Sequence, residues 1–253
     1  MQVEVIITNK YEAIFAEKYG ATRLELIHGF ELGGLSPKLK DIQDICNAVK
    51  IPVNVMLRPY YDINNINNIN NINNINKILN FTYNTQDTNI ILAELMYIRD
   101  NTNANGIVFG ALDKNYNLDI KLLETVINNK GHLKLTFHRA IDISRDIIST
   151  YTKLLTYNEI DFVLTSGGKP TALVGVDTIA QMVQMNKANR DKANGGHNNA
   201  TVIAGSGITA DNIANIITQS GVEQVHLGTG VRDSLLQLSQ QKFQKLNDTL
   251  KMF

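Results

Sequence analysis

The chain has 253 residues, 43% apolar and 19% charged, which supplies one large hydrophobic core and excludes a disordered, fibrous or disulfide-stapled molecule. Twenty-four Lys and Arg balance twenty-four Asp and Glu, so the charge excess that holds nucleic acid is missing, and no run approaches the length of a membrane span; neither nucleic acid nor membrane is expected as a partner. The single cysteine, Cys46, excludes an intramolecular disulfide, and the segment after Met1 has no basic-then-apolar leader, so we expect a cytoplasmic protein.

In chain order, short runs of Val, Ile and Leu alternate with longer segments whose apolar residues recur every three or four positions. The runs are Val3–Ile7, Arg23–Leu26, Val53–Leu57, Gly106–Phe109, Leu133–Phe137, Phe162–Leu164, Thr201–Ala204 and Gln224–Leu227, and each is predicted to be a strand. Helix punctuation falls between them. Ser36-Pro37 is expected to open one helix and Thr209-Ala210-Asp211-Asn212 another, while Gly20, Gly131 and Gly221 stand just past helical stretches. Eight βα units in 253 residues predict a single-domain α/β protein, a TIM (β/α)8 barrel over 1–253. An open doubly wound sheet would carry Gly-x-Gly-x-x-Gly after the first strand, and none follows Ile7.

One segment breaks the pattern. From Asp62 to Asn76 the triplet Ile-Asn-Asn repeats, and an advance of about 300° per triplet carries the Ile side chains around a helix instead of along one face. This predicts a low-complexity insertion in the loop after the third strand, with a lid over the barrel mouth as the sharper reading. The polar stretch Lys187–Asn199 is expected to be a loop before the seventh strand.

In a TIM barrel the carboxyl ends of the strands share one mouth, so chemistry is sought there. Glu4 and Glu25 fall within the first two strands, where a buried carboxylate needs a partner, and Arg58 at the end of the third is expected to supply it. The fifth strand runs into His138, Arg139 and Asp142, an imidazole that a carboxylate could tune toward neutral pH beside a guanidinium that could clamp an anion. These make Glu25, Arg58, His138, Arg139 and Asp142 the catalytic candidates. Ser166-Gly167, Gly205-Ser206-Gly207 and Gly228-Thr229-Gly230 close the last three strands, and small-residue loops there bring backbone N–H groups close to a phosphate. His28, His138 and His226 stand at strand ends and form a candidate metal set. Cys46, among Ile42, Ile45 and Val49, reads as a buried, inert thiol.

The ordered segments Leu24-Glu25-Leu26, Gly33-Gly34-Leu35-Ser36-Pro37, Pro52 to Pro59, Gly106 to Gly110, Thr136 to Ala140 and Leu164 to Gly167 resemble the motifs of the CutC copper homeostasis proteins. The resemblance spans nearly the whole chain. It implies a cytoplasmic, self-associating TIM barrel with a role in copper handling, and copper as the cofactor or cargo. Many members of that family carry a cysteine in the first strand and another after the Glu of the second; those positions are Ile6 and Ile27 here, which removes the thiolates that cuprous copper prefers. Asn80-Phe81-Thr82-Tyr83 matches the family's Asp-Phe-x-Tyr, with the Ile-Asn-Asn tract placed before it. Two functions stay open: a copper homeostasis protein holding copper through His or Met, and an enzyme acting on a small phosphorylated or carboxylated metabolite.

Overall fold

The computed structural model describes residues 1–59, 81–192 and 200–253. The Ile-Asn-Asn tract at 62–76, and the lid reading that rests on it, lie outside these residues. Eight parallel strands close into a barrel in chain order: β1 (Gln2–Ile7), β2 (Arg23–Leu26), β3 (Val53–Met56), β4 (Gly106–Phe109), β5 (Lys134–Phe137), β6 (Phe162–Thr165), β7 (Thr201–Gly205) and β8 (Gln224–Leu227). Every strand read from the sequence is present.

Around the barrel lie α1 (Lys10–Lys18), α2 (Leu39–Asn47), α3 (Thr85–Asn101), α4 (Ile120–Asn129), α5 (Ile147–Leu154), α6 (Val176–Lys192), α7 (Ile213–Ser220) and α8 (Gln240–Leu250). None is long and apolar enough to cross a membrane. A short antiparallel hairpin, β9 (Arg232–Ser234) and β10 (Gln237–Leu238), follows β8.

Strand alternation sorts the side chains. Val3, Val5 and Ile7 of β1 pack outward with Ala13 and Ala16 of α1 in the main apolar core between sheet and helices. Glu4 and Ile6, of the opposite parity, point into the barrel. There Ile27, Met56 and Val108 form a second, small apolar cluster, with Ile6 and Phe30 packed on it. The barrel interior is therefore mixed, an apolar layer beside a charged one.

Local chemistry explains most helix ends. Asn84 and Asp87 form a reciprocal capping box at the start of α3, and Gly221 ends α7 at φ 66°, a left-handed conformation that glycine adopts without strain. Two expectations are corrected. The helix placed at Ser36-Pro37 begins at Leu39, because the Ser36 hydroxyl is used across the barrel: it accepts the Arg58 N–H at 2.8 Å and donates to Glu94 at 2.6 Å. The loop expected from Lys187 is helical through Lys192, since Lys, Ala and Arg favour a solvated helix even without an apolar face.

Candidate functional site

Parallel pairing sets Glu4 beside both Arg23 and His226, and Ile6 beside Glu25. The inward parity of β1, β2 and β8 thus gathers four ionisable groups inside the barrel. Arg23 Nε donates to the Glu4 carboxylate, and its Nη2 donates to Gln224 Oε1 at 2.9 Å. His226 Nε2 is hydrogen-bonded to the Glu25 carboxylate and lies 3.9 Å from Glu4 Oε1. All four residues are buried. Among the described residues Glu4 Oε1 has no hydrogen-bond partner.

Burial by itself pushes an imidazole toward its neutral form, but at His226 the charge and hydrogen bond of Glu25, with Glu4 behind it, prevail and hold the pKa above the ordinary value. When His226 is protonated, two cationic and two anionic groups balance within the barrel. The donor atoms of Glu4, Glu25 and His226 lie within 4.8 Å of one another, a set of oxygens and one nitrogen that suits a hard or borderline divalent ion better than Cu(I). Arg23, and His226 when it is protonated, neutralise its carboxylates.

Above this network opens a cavity of about 440 Å³, lined by Glu25, Arg58, His138, Arg139, Asp142, Ser206, Gly207, His226, Gly228 and Thr229, with Ile6, Ile27, Met56 and Phe81 among the apolar walls. Most of the sequence candidates are thus brought together. Ser166, Gly167, Gly205 and Gly230 are not among its lining residues. Gly167, at φ 71°, and Gly230 are needed for close packing: a Cβ would stand 2.3 Å from the Gly175 carbonyl oxygen in one case and 1.9 Å from that of Ile208 in the other.

The three-histidine set is not assembled. His28 is exposed and lines a separate groove with Thr8, Lys38 and Asp41, because it follows the inward-facing Ile27 and so takes the outward parity. Arg58 also differs from expectation. Glu4 is paired by Arg23 instead, while Arg58 Nη1 donates to the carbonyls of Gly33 and Gly34 at 3.3 and 3.0 Å and its guanidinium lies 4.8 Å from the Phe81 ring centre. Burial lowers its pKa.

The carboxylate expected to tune His138 goes elsewhere. Asp142 accepts Arg139 Nε at 2.8 Å, the Thr165 hydroxyl at 2.5 Å, the Ser166 hydroxyl at 2.9 Å and the backbone N–H groups of Ser166 and Gly168. So many donors make it a brace that fixes Arg139 and the loop after β6. The Arg139 side chain is 42% exposed, which leaves it able to meet an anion at the mouth.

His138 instead accepts the Ala140 N–H on Nδ1 at 3.2 Å, capping a short 3-10 turn over Arg139–Ile143. Its ring lies 4.7 Å from that of Phe81. Burial, reinforced by the charges of Arg58 and Arg139, pushes its pKa down to about 3, so the ring is neutral at physiological pH.

Sequence comparison supplies the relationship. The CutC family profile matches residues 1–231. The chain belongs to the CutC family. A family protein CutC from Pasteurella multocida is 32% identical over 233 residues, 92% of this chain and 84% of that protein. A human protein named copper homeostasis protein cutC homolog is 30% identical over 233 residues, 92% of this chain and 75% of its own length. Among solved structures, CutC from Streptococcus agalactiae superposes with a TM-score of 0.73 at 21% identity, covering 89% of this chain and 97% of that one. A phosphoribosyl anthranilate isomerase from Thermotoga maritima shares the barrel at a TM-score of 0.60 and 11% identity, covering 100% of both chains.

For a CutC-family chain, the walls at Ile6 and Ile27 carry weight. Both line the cavity, so the positions associated with cysteines lie at the mouth and are aliphatic here. Cys46 sits in α2, buried, with its thiol pushed up to about 11, and among the described lining residues of the cavity Met56 gives the one sulfur. This donor set does not fit cuprous copper. Arg23 was missed as a site residue, although its spacing from Glu25 places both on one face of β2 and was the available signal.

Proposed function

We propose that this CutC-family chain serves copper homeostasis, the role for which its mouse and human relatives are named, and that it does so as a cytoplasmic enzyme acting on a small phosphorylated or carboxylated metabolite. The observation that carries the reading is the buried Glu25–His226 pair opening onto a cavity edged by Arg139. Glu25 and the raised imidazole of His226 form a proton-exchanging pair, the kind of perturbed couple that acid–base catalysis uses. Arg139, held by Asp142, meets the anionic group of the ligand, and the loops at Ser206-Gly207 and Gly228-Thr229 bound the same space. Storage of Cu(I) at this mouth is disfavoured by the aliphatic side chains of Ile6 and Ile27. Self-association, which the family resemblance implies, is proposed with this reading and is tested by the mass in solution.

Two titrations test it. In anaerobic competition with a chromophoric chelator, the protein is expected to take no stoichiometric Cu(I). Inorganic phosphate is expected to raise the melting temperature, by an amount equivalent to about 2.7 kcal/mol at a hundredfold excess over Kd, and Arg139→Ala to abolish the rise. Tight one-to-one Cu(I) binding lost in His226→Ala would replace this reading with direct copper binding.

A further inference from the structure

His138 is a polar group at the mouth that the proposed chemistry leaves without a task, and its surroundings define one. The ring is locked on three sides. Nδ1 is occupied by the Ala140 N–H, Phe81 lies against the ring face, and Gly110 gives the room: a Cβ there would stand 2.4 Å from Nδ1. Phe81 itself has φ 50°, a left-handed conformation costly for a bulky residue. An imidazole nitrogen that accepts a backbone N–H carries no proton of its own, so in the neutral ring the proton resides on Nε2. Nε2 is buried and, among the described residues, has no hydrogen-bond partner, on a side chain that is 3% exposed and lines the cavity. A buried N–H donor left unpaired is costly, and such groups call for a partner.

We infer that His138 is a fixed, neutral Nε2–H donor for a carbonyl oxygen, so that the ligand of this mouth is a small anionic metabolite carrying a carbonyl group. The inference rests on the anion-binding reading above and narrows it. The cationic neighbours Arg58 and Arg139 work in the same direction, since both oppose protonation of the ring. A neutral imidazole polarises a carbonyl without offering a charge to bind a second anion. Proton exchange is left to Glu25 and His226, and His138 sets specificity.

The test compares 2-oxopropylphosphonate with propylphosphonate, which share the anionic group and differ in one carbonyl oxygen, by calorimetric titration of the full chain. The ketone is expected to bind about tenfold more tightly, the worth of one hydrogen bond to an otherwise unpaired buried donor. His138→Gln, which keeps an N–H near the same place, should retain the preference; His138→Phe, which keeps a flat ring and removes the donor, should erase it. Equal binding of the two phosphonates, or a preference that survives in His138→Phe, overturns the inference while leaving anion binding intact. Failure of both phosphonates and of inorganic phosphate to bind removes the anion-binding reading and this inference with it. Nitrogen-15 spectra of the wild-type ring give a check independent of variant folding: a proton on Nε2 and a bare Nδ1 at neutral pH are expected, and a proton on Nδ1, or titration between about pH 5 and 8, overturns the assignment.

Discussion

Two buried charge groups in this protein look alike in sequence and are built differently. Inside the barrel, Arg23, Glu4, Glu25 and His226 share one network that keeps a carboxylate oxygen unpaired and faces a cavity. Outside it, Arg232 from the hairpin grips Glu12 of α1 with both terminal nitrogens, at 2.6 and 2.8 Å, and also donates to the carbonyls of Ile6 and Leu235. Its guanidinium lies 4.9 Å from the Phe30 ring centre. The outer pair is a staple between chain segments more than 200 residues apart. The inner network instead presents Glu25 and His226 to the cavity. Burying charge is costly in both places; the difference teaches that the cost secures a fixed contact in one and a chemically responsive surface in the other.

Acid has its largest expected effect beside the inner network, at the cavity that His138 lines together with Glu25 and His226. His138 falls from the ordinary imidazole value of 6.5 to about 3 on folding, so its contribution is present above the unfolded value and is lost as pH falls through the folded one. The drop corresponds to on the order of 5 kcal/mol, and His138→Gln should flatten the acid limb of a stability–pH curve measured by urea unfolding. Arg232→Met comes next. It strands Glu12, in a pair whose side chains are 1% and 9% exposed, and should cost about 3–5 kcal/mol at neutral pH in the same assay.

Arg23→Met is expected to cost less, about 2 kcal/mol, because the His226 imidazolium stands 3.9 Å from Glu4 and shares its charge. A loss as large as that of Arg232→Met would show that the inner network has no such redundancy. The smallest effect is one of slope. The folded pKa of His226 is raised, so the stabilisation it brings is complete below the unfolded value and fades as pH rises through the folded one. In Glu25→Gln the lowering effect of burial outweighs the remaining charge of Glu4, and stability should rise as pH climbs toward the unfolded value of 6.5 and level off above it, where the wild-type contribution falls.

The fold was legible because strand and helix periods are written locally. Val3, Val5 and Ile7 against Glu4 and Ile6 declare an outer and an inner face within a single strand. The glycines after helices kept their places for a similarly local reason. Pairing was less legible. Arg58 and Arg23 are both inward-facing arginines, and the parallel register of β1 and β2, absent from any local pattern, sets Arg23 opposite Glu4. Likewise Asp142 is three residues from Arg139 and four from His138, and the turn over Arg139–Ile143 presents it to the guanidinium.

The sequence by itself determined the barrel, its strand count and most of the residues at its mouth, since hydrophobic period and turn chemistry act over a few neighbouring residues. Only the tertiary structure decided which of those residues become a couple and which a brace. Glu25 meets His226 across 201 positions of chain, while His28, one step out of parity, is turned toward solvent. Such outcomes depend on closing the sheet, which brings β8 against β1, and on the desolvation that closure imposes: the same side chain type is driven to opposite protonation tendencies at His138 and His226 by the charges that the fold places beside each.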